Sequence, residues 1–244
     1  MKKYYYDLHI HSCLSSCGDD DSTPNSIAGM GELNGLDIMA LTDHNTCKNC
    51  PAFFETAKRH GILAVAGMEL TTAEDIHVVC LFENLKKAMA FDKAVSERRI
   101  LIPNREDIFG NQIICDSEDN IIGNEPYLLS NATTIGLDEA PALVEQYGGI
   151  CYPAHIDRDS NGVISVLGVF PESPVFCAAE VHFAEKADEY SLLSRIPRKK
   201  IIVSSDAHVL WDIKEQREYL ELPEIPLGAE NAGEYIIKYL RGCL

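Results

Sequence analysis

The sequence predicts an α/β fold and, within that class, a barrel of about seven parallel strands. Three observations support this prediction. Seven short apolar runs recur along the chain, most alternate with helical patterns, and the runs are continuously apolar rather than alternating. Strands of this kind are buried on both faces of parallel sheets that helices cover. The chain has 244 residues, enough for one barrel domain spanning 1–244.

The individual elements follow from local patterns. The predicted strands are residues 4–10, 37–41, 62–67, 77–82, 149–154, 176–181 and 200–205. Proline is favoured at the first position of a helix, so helices are predicted to begin at Pro24 and Pro51 and to end near Glu32 and His60. Amphipathic patterns predict further helices over residues 84–99, 138–147 and 230–241.

Residues 103–135 interrupt this alternation. The segment "IICDSEDNIIG" has the pattern of a hairpin with a polar turn, inside a stretch rich in loops. Long insertions in compact domains are often functional. We interpret residues 103–135 as an insertion over one face of the barrel, either a lid or a surface excursion.

Composition restricts the partners and the location of the protein. The chain has 38 acidic and 21 basic residues and a formal net charge of −17, and its longest basic block is Arg198–Lys200. We therefore expect no binding to duplex nucleic acid, which favours basic stripes. No apolar run approaches the roughly 18 residues that cross a bilayer, so we expect no membrane partner. Nine scattered cysteines indicate reduced thiols and a cytoplasmic location.

Histidine and acidic residues recur at the ends of the predicted strands. His9 and His11 are two residues apart in the first strand and so project from one face, and Asp206 and His208 have the same spacing. The other members of this set are His44, Glu69, His77 and His155. Strand ends converge at the mouth of a parallel barrel, and imidazoles and carboxylates are ligands of Zn, Mn and Fe. The pattern predicts a metal centre, because such a cluster is otherwise costly to bury.

Two further histidines fit this pattern less well. His60 lies at the end of a predicted helix, where its charge would complement the helix dipole. His182 follows the sixth predicted strand, but its neighbours lack the turn residues that accompany the others. We rank both below the eight residues of the predicted metal centre.

Taken together, these segments resemble the PHP (polymerase and histidinol phosphatase) family. The matching segments are DLHIHS, the acidic run before TP, LTDHN, GMEL, IHVV, PAHIDR and SSDAH, which span roughly residues 5–210. The resemblance implies a distorted seven-stranded (β/α)7 barrel. It also implies three divalent metal ions, Zn, Mn or Fe, and metal-dependent hydrolysis of phosphoesters.

The resemblance also implies which residues hold each ion. The first ion would be bound by His9, His11, Glu69 and Asp206; the second by Glu69, His77 and His155; and the third by His44, His208 and an acidic residue of the first motif. The family commonly has SDG at that acidic position, whereas this chain has SSCGDDD. Asp20 is the predicted ligand, with Asp19 and Asp21 as alternatives.

The implied chemistry is attack on phosphorus by a metal-bridging hydroxide. Bound cations lower the pKa of water from about 15.7 towards about 7. Glu69 and Asp206 are the predicted catalytic carboxylates, and Asp43 is predicted to orient the histidines by accepting hydrogen bonds. Arg158 is the candidate for binding the phosphate through a forked contact; alternatively it balances neighbouring aspartates. Lys48 is a second, weaker candidate.

The sequence allows more than one substrate and more than one class of protein. We expect a small phosphorylated metabolite or nucleotide as substrate, and the alternative within the family is an exonuclease acting on oligonucleotide ends. An amidohydrolase-type enzyme also begins with H-x-H, but Glu69 occupies the position where that family often has a modified lysine. A metal-sensing or Fe–S redox protein would instead use thiols, here Cys13, Cys17, Cys47 and Cys50.

Overall fold

The computed structural model describes residues 1–244. Its strands are β1 (Lys2–Ile10), β2 (Ile38–Leu41), β3 (Leu63–Thr71), β4 (His77–Phe82), β5 (Ile113–Cys115), β6 (Ile121–Asn124), β7 (Gly149–Pro153), β8 (Ala179–Val181), β9 (Ile201–Val203) and β10 (Tyr219–Leu222). Its α-helices are α1 (Pro24–Leu33), α2 (Cys50–Arg59), α3 (Leu85–Ser96), α4 (Glu106–Phe109), α5 (Ala140–Gln146), α6 (Val163–Leu167), α7 (Ala187–Ser194) and α8 (Ala232–Arg241). Each of the seven predicted strands overlaps an observed one, namely β1 to β4 and β7 to β9.

The main sheet has six strands in the order β10-β1-β2-β3-β4-β7. Strands β1, β2 and β3 are parallel, whereas β4 is antiparallel to both β3 and β7. The prediction that all seven strands run parallel is therefore wrong. Only residues 72–76 connect β3 to β4, which suffices for a turn but not for the dozen or more residues of a parallel crossover.

Strands β8 and β9 form a separate parallel pair that lies between β7 and β1. On each side, a backbone hydrogen bond involving residues just beyond the strand ends connects this pair to the main sheet. The Ile156 N–H donates to the Glu180 carbonyl at 2.8 Å, and the His11 N–H donates to the Ala207 carbonyl at 2.9 Å. The fold is therefore a mixed α/β fold with a curled, half-barrel sheet, and a closed barrel of seven strands is not confirmed.

Side chains on the two faces of the sheet belong to different apolar clusters. In β4, Val79 and Leu81 join an inner cluster of 21 buried residues, whereas Val78 and Cys80 join an outer cluster of 38. The outer cluster includes side chains of α1, α2, α3 and α5. The alternation follows the two-residue period of a strand.

Helix α8 closes one end of the inner cluster. Its first turn packs against the carboxyl end of β4, where a Cβ at Gly233 would lie 2.0 Å from the carbonyl oxygen of Phe82. Glycine is needed here because any side chain would collide with that backbone. Ile236 and Leu240 of α8 are fully buried in the inner cluster. At the opposite end, where β4 begins at His77, polar residues take the place of the apolar cluster.

The insertion at residues 103–135 contains α4 and the β5–β6 hairpin and packs against the loops that follow β1 and β2. The Ile113 N–H donates to the Cys13 carbonyl at 2.8 Å. The Asn45 amide donates to the Leu129 carbonyl at 2.7 Å. The insertion is thus attached beside the ends of the strands. No helix in the structure combines the length and apolar character needed to cross a bilayer.

Candidate metal centre

Polar residues meet at the end of the curled sheet that α8 leaves open. His9 belongs to β1 and Glu69 to β3, both near the carboxyl ends of their strands. Because β4 runs antiparallel to β3, its first residue His77 pairs with Thr71 and so reaches the same end. Reversal of β4 thus explains why the first residue of a strand joins residues from the carboxyl ends of others.

Glu69 is the centre of this cluster and is 1% exposed. Five imidazole nitrogens lie within 3.3 Å of its two carboxylate oxygens. The distances to Oε1 are 2.9 Å from His77 Nδ1, 3.2 Å from His155 Nε2 and 3.3 Å from His9 Nε2, and those to Oε2 are 3.0 Å from His44 Nδ1 and 3.3 Å from His11 Nε2. One carboxylate is therefore shared among five histidines.

Asp206 is the second carboxylate of the cluster. Its Oδ1 lies 3.0 Å from His11 Nε2 and 3.2 Å from His9 Nε2, and its Oδ2 accepts a hydrogen bond from Arg158. Asp206 and His155 have positive φ angles of 52° and 28°. Such backbone conformations cost free energy for residues other than glycine and are typical of functional sites.

Electrostatic interactions inside the cluster are strong because it is buried. Burial disfavours the charged form of His9, but Glu180, Asp206 and Glu69 outweigh this effect and hold its pKa well above the usual value. Burial likewise disfavours ionised Glu69, but His77, His9 and His44 outweigh it and hold the pKa of Glu69 well below the usual value. The carboxylates thus favour the protonated imidazoles, and the imidazoles favour the ionised carboxylates.

The arrangement of the donor atoms suits bound divalent metal ions better than hydrogen bonding among the donors themselves. The Nδ1 atom of His155 is buried and forms no hydrogen bond, and that of His44 lies 3.0 Å from Glu69 Oε2 but does not meet the geometry of a hydrogen bond. The Nε2 atoms of His9 and His11 face each other at 3.2 Å. Buried polar atoms normally have partners, and a cation between these nitrogens would satisfy several at once. Three groups bring their ligand atoms within 4.8 Å of one another: His9, His11, Glu69 and Asp206; His44, Glu69 and His77; and His11, His44 and His208.

Most of the predicted ligands therefore meet, although their grouping differs from the implied one. His77 groups with His44 and Glu69, and His11 also lies with His44 and His208. His155 contacts Glu69 without joining a compact group of three. The first predicted set is found as one group.

Asp20 does not reach this cluster. It is exposed and accepts a hydrogen bond from the side-chain amide of Asn111 at 2.7 Å. Asp19 and Asp21 are also exposed, and the Asp19 carboxylate accepts from the Asp21 N–H at 2.8 Å. The segment that was predicted to supply an acidic ligand thus forms a surface turn, and none of its three aspartates faces the histidines.

Asp43 acts on the cluster through another residue. It accepts hydrogen bonds from the Ser12 N–H at 2.7 Å and the Ser15 hydroxyl at 2.8 Å. The Ser15 Oγ in turn lies 2.9 Å from His11 Nδ1. Asp43 can therefore orient His11 without touching it.

The two predicted phosphate-binding residues have different positions. Arg158 lies at the cluster, where its guanidinium contacts Asp206 and its Nη2 lies 3.1 Å from His182 Nδ1. Lys48 is paired with Glu125 of the insertion instead. Arg158 is one-third exposed and Asp206 is buried, so Arg158 is near the open side of the site.

Glu180 is a site residue that the sequence analysis missed. Its Oε1 lies 2.8 Å from His9 Nδ1 and accepts a bond from the His155 N–H at 3.2 Å. It is fully buried. The available signal was a single acidic residue inside the otherwise apolar run FCAAEV. Carboxylates that bind the second ring nitrogen of a ligand histidine fix its tautomer and orientation.

The four cysteines of the Fe–S alternative do not form one site. Cys47 and Cys50 lie in the outer apolar cluster, and the Cys47 thiol donates to the Gly67 carbonyl at 3.2 Å. Cys13 is buried with its sulfur 3.7 Å from that of Cys115. Cys17 is accessible to solvent. The structure therefore does not support a four-thiol cluster.

The chain matches a known protein family in sequence. A sequence profile of the PHP domain family matches residues 7–147, more than half of the chain. The chain belongs to the PHP domain family, which confirms the resemblance seen in the metal-site motifs.

The individual relatives differ in size from this chain. The 5'-3' exoribonuclease of Haemophilus influenzae is 30% identical over 131 residues, which cover 46% of each protein. The chain spans between 5% and 58% of the length of the curated relatives it matches.

Solved structures show the same fold at low sequence identity. Endonuclease Q of Pyrococcus furiosus has a TM-score of 0.64 and 17% identity, covering 99% of this chain and 56% of that one. A candidate metal-dependent phosphoesterase of Bifidobacterium adolescentis has a TM-score of 0.57 and 15% identity, covering 96% of both. These values establish shared architecture.

One of these structures corrects the prediction about partners. Endonuclease Q, with a TM-score of 0.64 and 16% identity over 99% of this chain and 57% of that one, has been solved in complex with a 27-mer duplex that carries an abasic lesion at the active site. The expectation of a small phosphorylated substrate and no duplex nucleic acid is therefore wrong. Net charge is a sum over the whole surface and does not describe the field at a local site that binds cations.

Proposed function

We propose that this chain is a metal-dependent phosphoester hydrolase that acts on phosphodiesters of nucleic acids. The observation that carries the proposal is the buried convergence of five imidazoles on the single carboxylate of Glu69, with Asp206 beside it. Clusters of this donor type suit Zn, Mn and Fe. Membership of the PHP domain family and the exoribonuclease and endonuclease relatives support the same chemistry.

The proposed cofactor is a set of three divalent metal ions. Eight side chains would hold them: His9, His11, His44, Glu69, His77, His155, Asp206 and His208. When bound, such ions supply a water of lowered pKa and neutralise phosphate charge. The protein contributes the positions of the donors, and Glu180 and Asp43 would keep the rings of His9 and His11 oriented.

Substrate would approach from the side of His208 and Arg158. The side chain of His208 is 28% exposed and that of Arg158 is 33% exposed, whereas those of Glu69 and His9 are at most 1% exposed. Arg158 can offer a guanidinium N–H to a phosphate oxygen while it stays near Asp206. Lys48 could contribute only by leaving Glu125.

The carboxylates of the site lead to a further expectation for this function. Glu69, Asp206 and Glu180 are buried there and repel phosphate until cations neutralise them, so nucleic acid should bind only after cations occupy the site. An exonuclease acting at strand ends and an endonuclease acting at a lesion both remain compatible with the site.

Reconstitution tests the proposal. The metal-free chain would be loaded with Mn²⁺, Zn²⁺ or Fe²⁺ and assayed with labelled single-stranded RNA and DNA, a duplex with an abasic site and a panel of amides. We expect phosphodiester cleavage that chelation abolishes. His155→Gln should lose it, whereas the matched control His60→Gln should keep it, because His60 pairs with Glu32 at the surface.

Two outcomes would contradict the proposal. Hydrolysis of amides without any phosphodiester cleavage would favour the amidohydrolase alternative. Cleavage that survives both chelation and His155→Gln would show that the activity does not come from this centre.

A further inference from the structure

His182 lies beside the metal centre, although the proposed set of metal ligands does not use it. It follows β8, and its Nδ1 lies 3.1 Å from Nη2 of Arg158. The other terminal nitrogen of the same guanidinium, Nη1, donates to Asp206, which follows β9. The guanidinium of Arg158 is therefore held between two side chains, one from the loop after each strand of the β8–β9 pair.

The contact between His182 and Arg158 fixes which atom donates. A guanidinium carries only N–H donors, so His182 Nδ1 is the acceptor and the ring proton lies on Nε2. Burial, Arg158 and Lys214 lower the pKa of His182, which favours this neutral form of the ring. The two contacts of Arg158 thus differ, because Asp206 compensates the positive charge whereas His182 restrains the guanidinium without adding a negative charge.

Main-chain contacts set the position of the His182 ring. The Asp157 carboxylate accepts from the N–H of His182 at 2.8 Å and from that of Phe183 at 2.9 Å. Lys214 Nζ donates to the carbonyl oxygen of His182 at 3.0 Å. Asp157 directly precedes Arg158 in the chain, so one short segment supplies the guanidinium and also holds its acceptor. These main-chain bonds do not involve the ring, so a change of side chain at position 182 leaves them in place.

We propose that His182 is a positioning residue that holds the guanidinium of Arg158 ready for a phosphate group of the substrate. Arginine has five N–H donors, and the contacts with His182 and Asp206 use one on each terminal nitrogen. The other donors are left for phosphate oxygens. A side chain that is ordered in advance loses less conformational freedom when it binds. The inference rests on the proposed function in that Arg158 is the phosphate-binding residue there.

Phosphate binding measures this role without requiring catalysis. Inorganic phosphate would be titrated into the metal-loaded chain by isothermal titration calorimetry. We expect His182→Ala to weaken phosphate binding about 3–10-fold, because the side chain of Arg158 must then be ordered on binding. Elemental analysis should show an unchanged metal content. The control His60→Ala should keep the wild-type affinity, because His60 pairs with Glu32 at the surface.

Two conservative variants identify the ring nitrogen that matters. The side-chain oxygen of asparagine lies near the position of Nδ1, whereas that of glutamine reaches towards the position of Nε2. We therefore expect His182→Asn to restore most of the phosphate affinity that His182→Ala loses, and His182→Gln not to restore it.

A double-mutant cycle tests whether His182 acts through Arg158. In a chain that already carries Arg158→Ala, we expect His182→Ala to cause no further loss of phosphate affinity. An equal loss with and without Arg158→Ala would overturn the inference.

The remaining outcomes separate this inference from the proposed function. Unchanged phosphate affinity in His182→Ala, or a rescue by His182→Gln but not by His182→Asn, would overturn the positioning role and leave the hydrolase intact. A lower metal content in His182→Ala would also overturn it, because the ring would then act on the metal centre. Phosphate binding with the expected pattern but no phosphodiester cleavage would overturn the proposed function and keep the role of His182.

Discussion

The two ends of the inner face of the curled sheet are equally buried but chemically opposite. At the apolar end, Ile236 and Leu240 of α8 are excluded from water. At the histidine end, His9 and Glu69 are as completely buried. Burial stabilises the first set and destabilises the second unless its charges are compensated. The same strands thus supply stability at one end and a costly, reactive cluster at the other.

The largest expected effect comes from the histidine end. Glu69→Gln keeps the shape of the side chain but removes the charge that five imidazoles share. We expect metal content to fall and activity to drop by more than about 100-fold, the upper range for loss of an outer partner. Far-ultraviolet circular dichroism should show a folded chain. Full activity in this variant would show that the histidine end does not need the charge of Glu69.

A substitution at the apolar end should have the converse effect. Ile236→Ala leaves a cavity in the inner cluster and should lower the free energy of unfolding by about 2–5 kcal/mol. Metal content per folded chain should not change, because the α8 end of β4 is far along the strand from His77. Urea unfolding and elemental analysis check this. Loss of metal from the folded variant would show that the ends are coupled.

Glu180 sharpens the comparison with a smaller effect. Glu180→Gln retains the volume but weakens the bond to His9 Nδ1, so we expect metal affinity to fall about 10–100-fold. The exposed control Glu172→Gln should leave affinity unchanged, because Glu172 forms its ion pair with Arg195 at the surface and not with a residue of the site. Metal titration against a chromophoric chelator measures both. Equal affinities in the two variants would mean that Glu180 does not position His9.

The smallest effect is a dependence on pH. Burial disfavours their charged forms, but neighbouring carboxylates raise the pKa of His9 and His11, and Cys17 and Glu69 raise that of His44, in the metal-free chain. Their stabilisation is complete below the unfolded value of about 6.5 and is lost as the pH rises through the raised folded values. Metal binding instead needs neutral imidazoles. The gain in Tm on adding Zn²⁺ should therefore be larger at about pH 8 than at about pH 6; calorimetry showing an equal gain at both would contradict this.

Local patterns in the sequence were sufficient to predict most elements and most candidate ligands. The spacing of His9 and His11 needs only the period of a strand. His77 was identified correctly as a residue at the start of a strand, but the direction of that strand was wrong. Direction depends on the short connection after β3, which apolar periodicity does not encode.

Residues outside regular elements were harder to predict. Asp20 was predicted because the family resemblance implied an acidic residue in the first motif, yet the path of the loop turns it towards Asn111. That path includes a close approach of Gly18 to the Ser12 carbonyl oxygen, which the types of the residues alone do not predict. Glu180 was missed because an acidic residue in an apolar strand shows no preferred partner until His9, 171 positions earlier, is placed beside it.

The separate β8–β9 pair has one further consequence. Few backbone hydrogen bonds join it to the main sheet. Side-chain hydrogen bonds, such as that from the Val203 N–H to the Tyr6 hydroxyl, and the contacts of Glu180 with His9 and of Asp206 with His11 also cross that junction. Ions that bind between these residues would add links between the β8–β9 pair and the main sheet. Amide hydrogen exchange in β8 and β9 should therefore slow more on metal loading than exchange in β2 and β3.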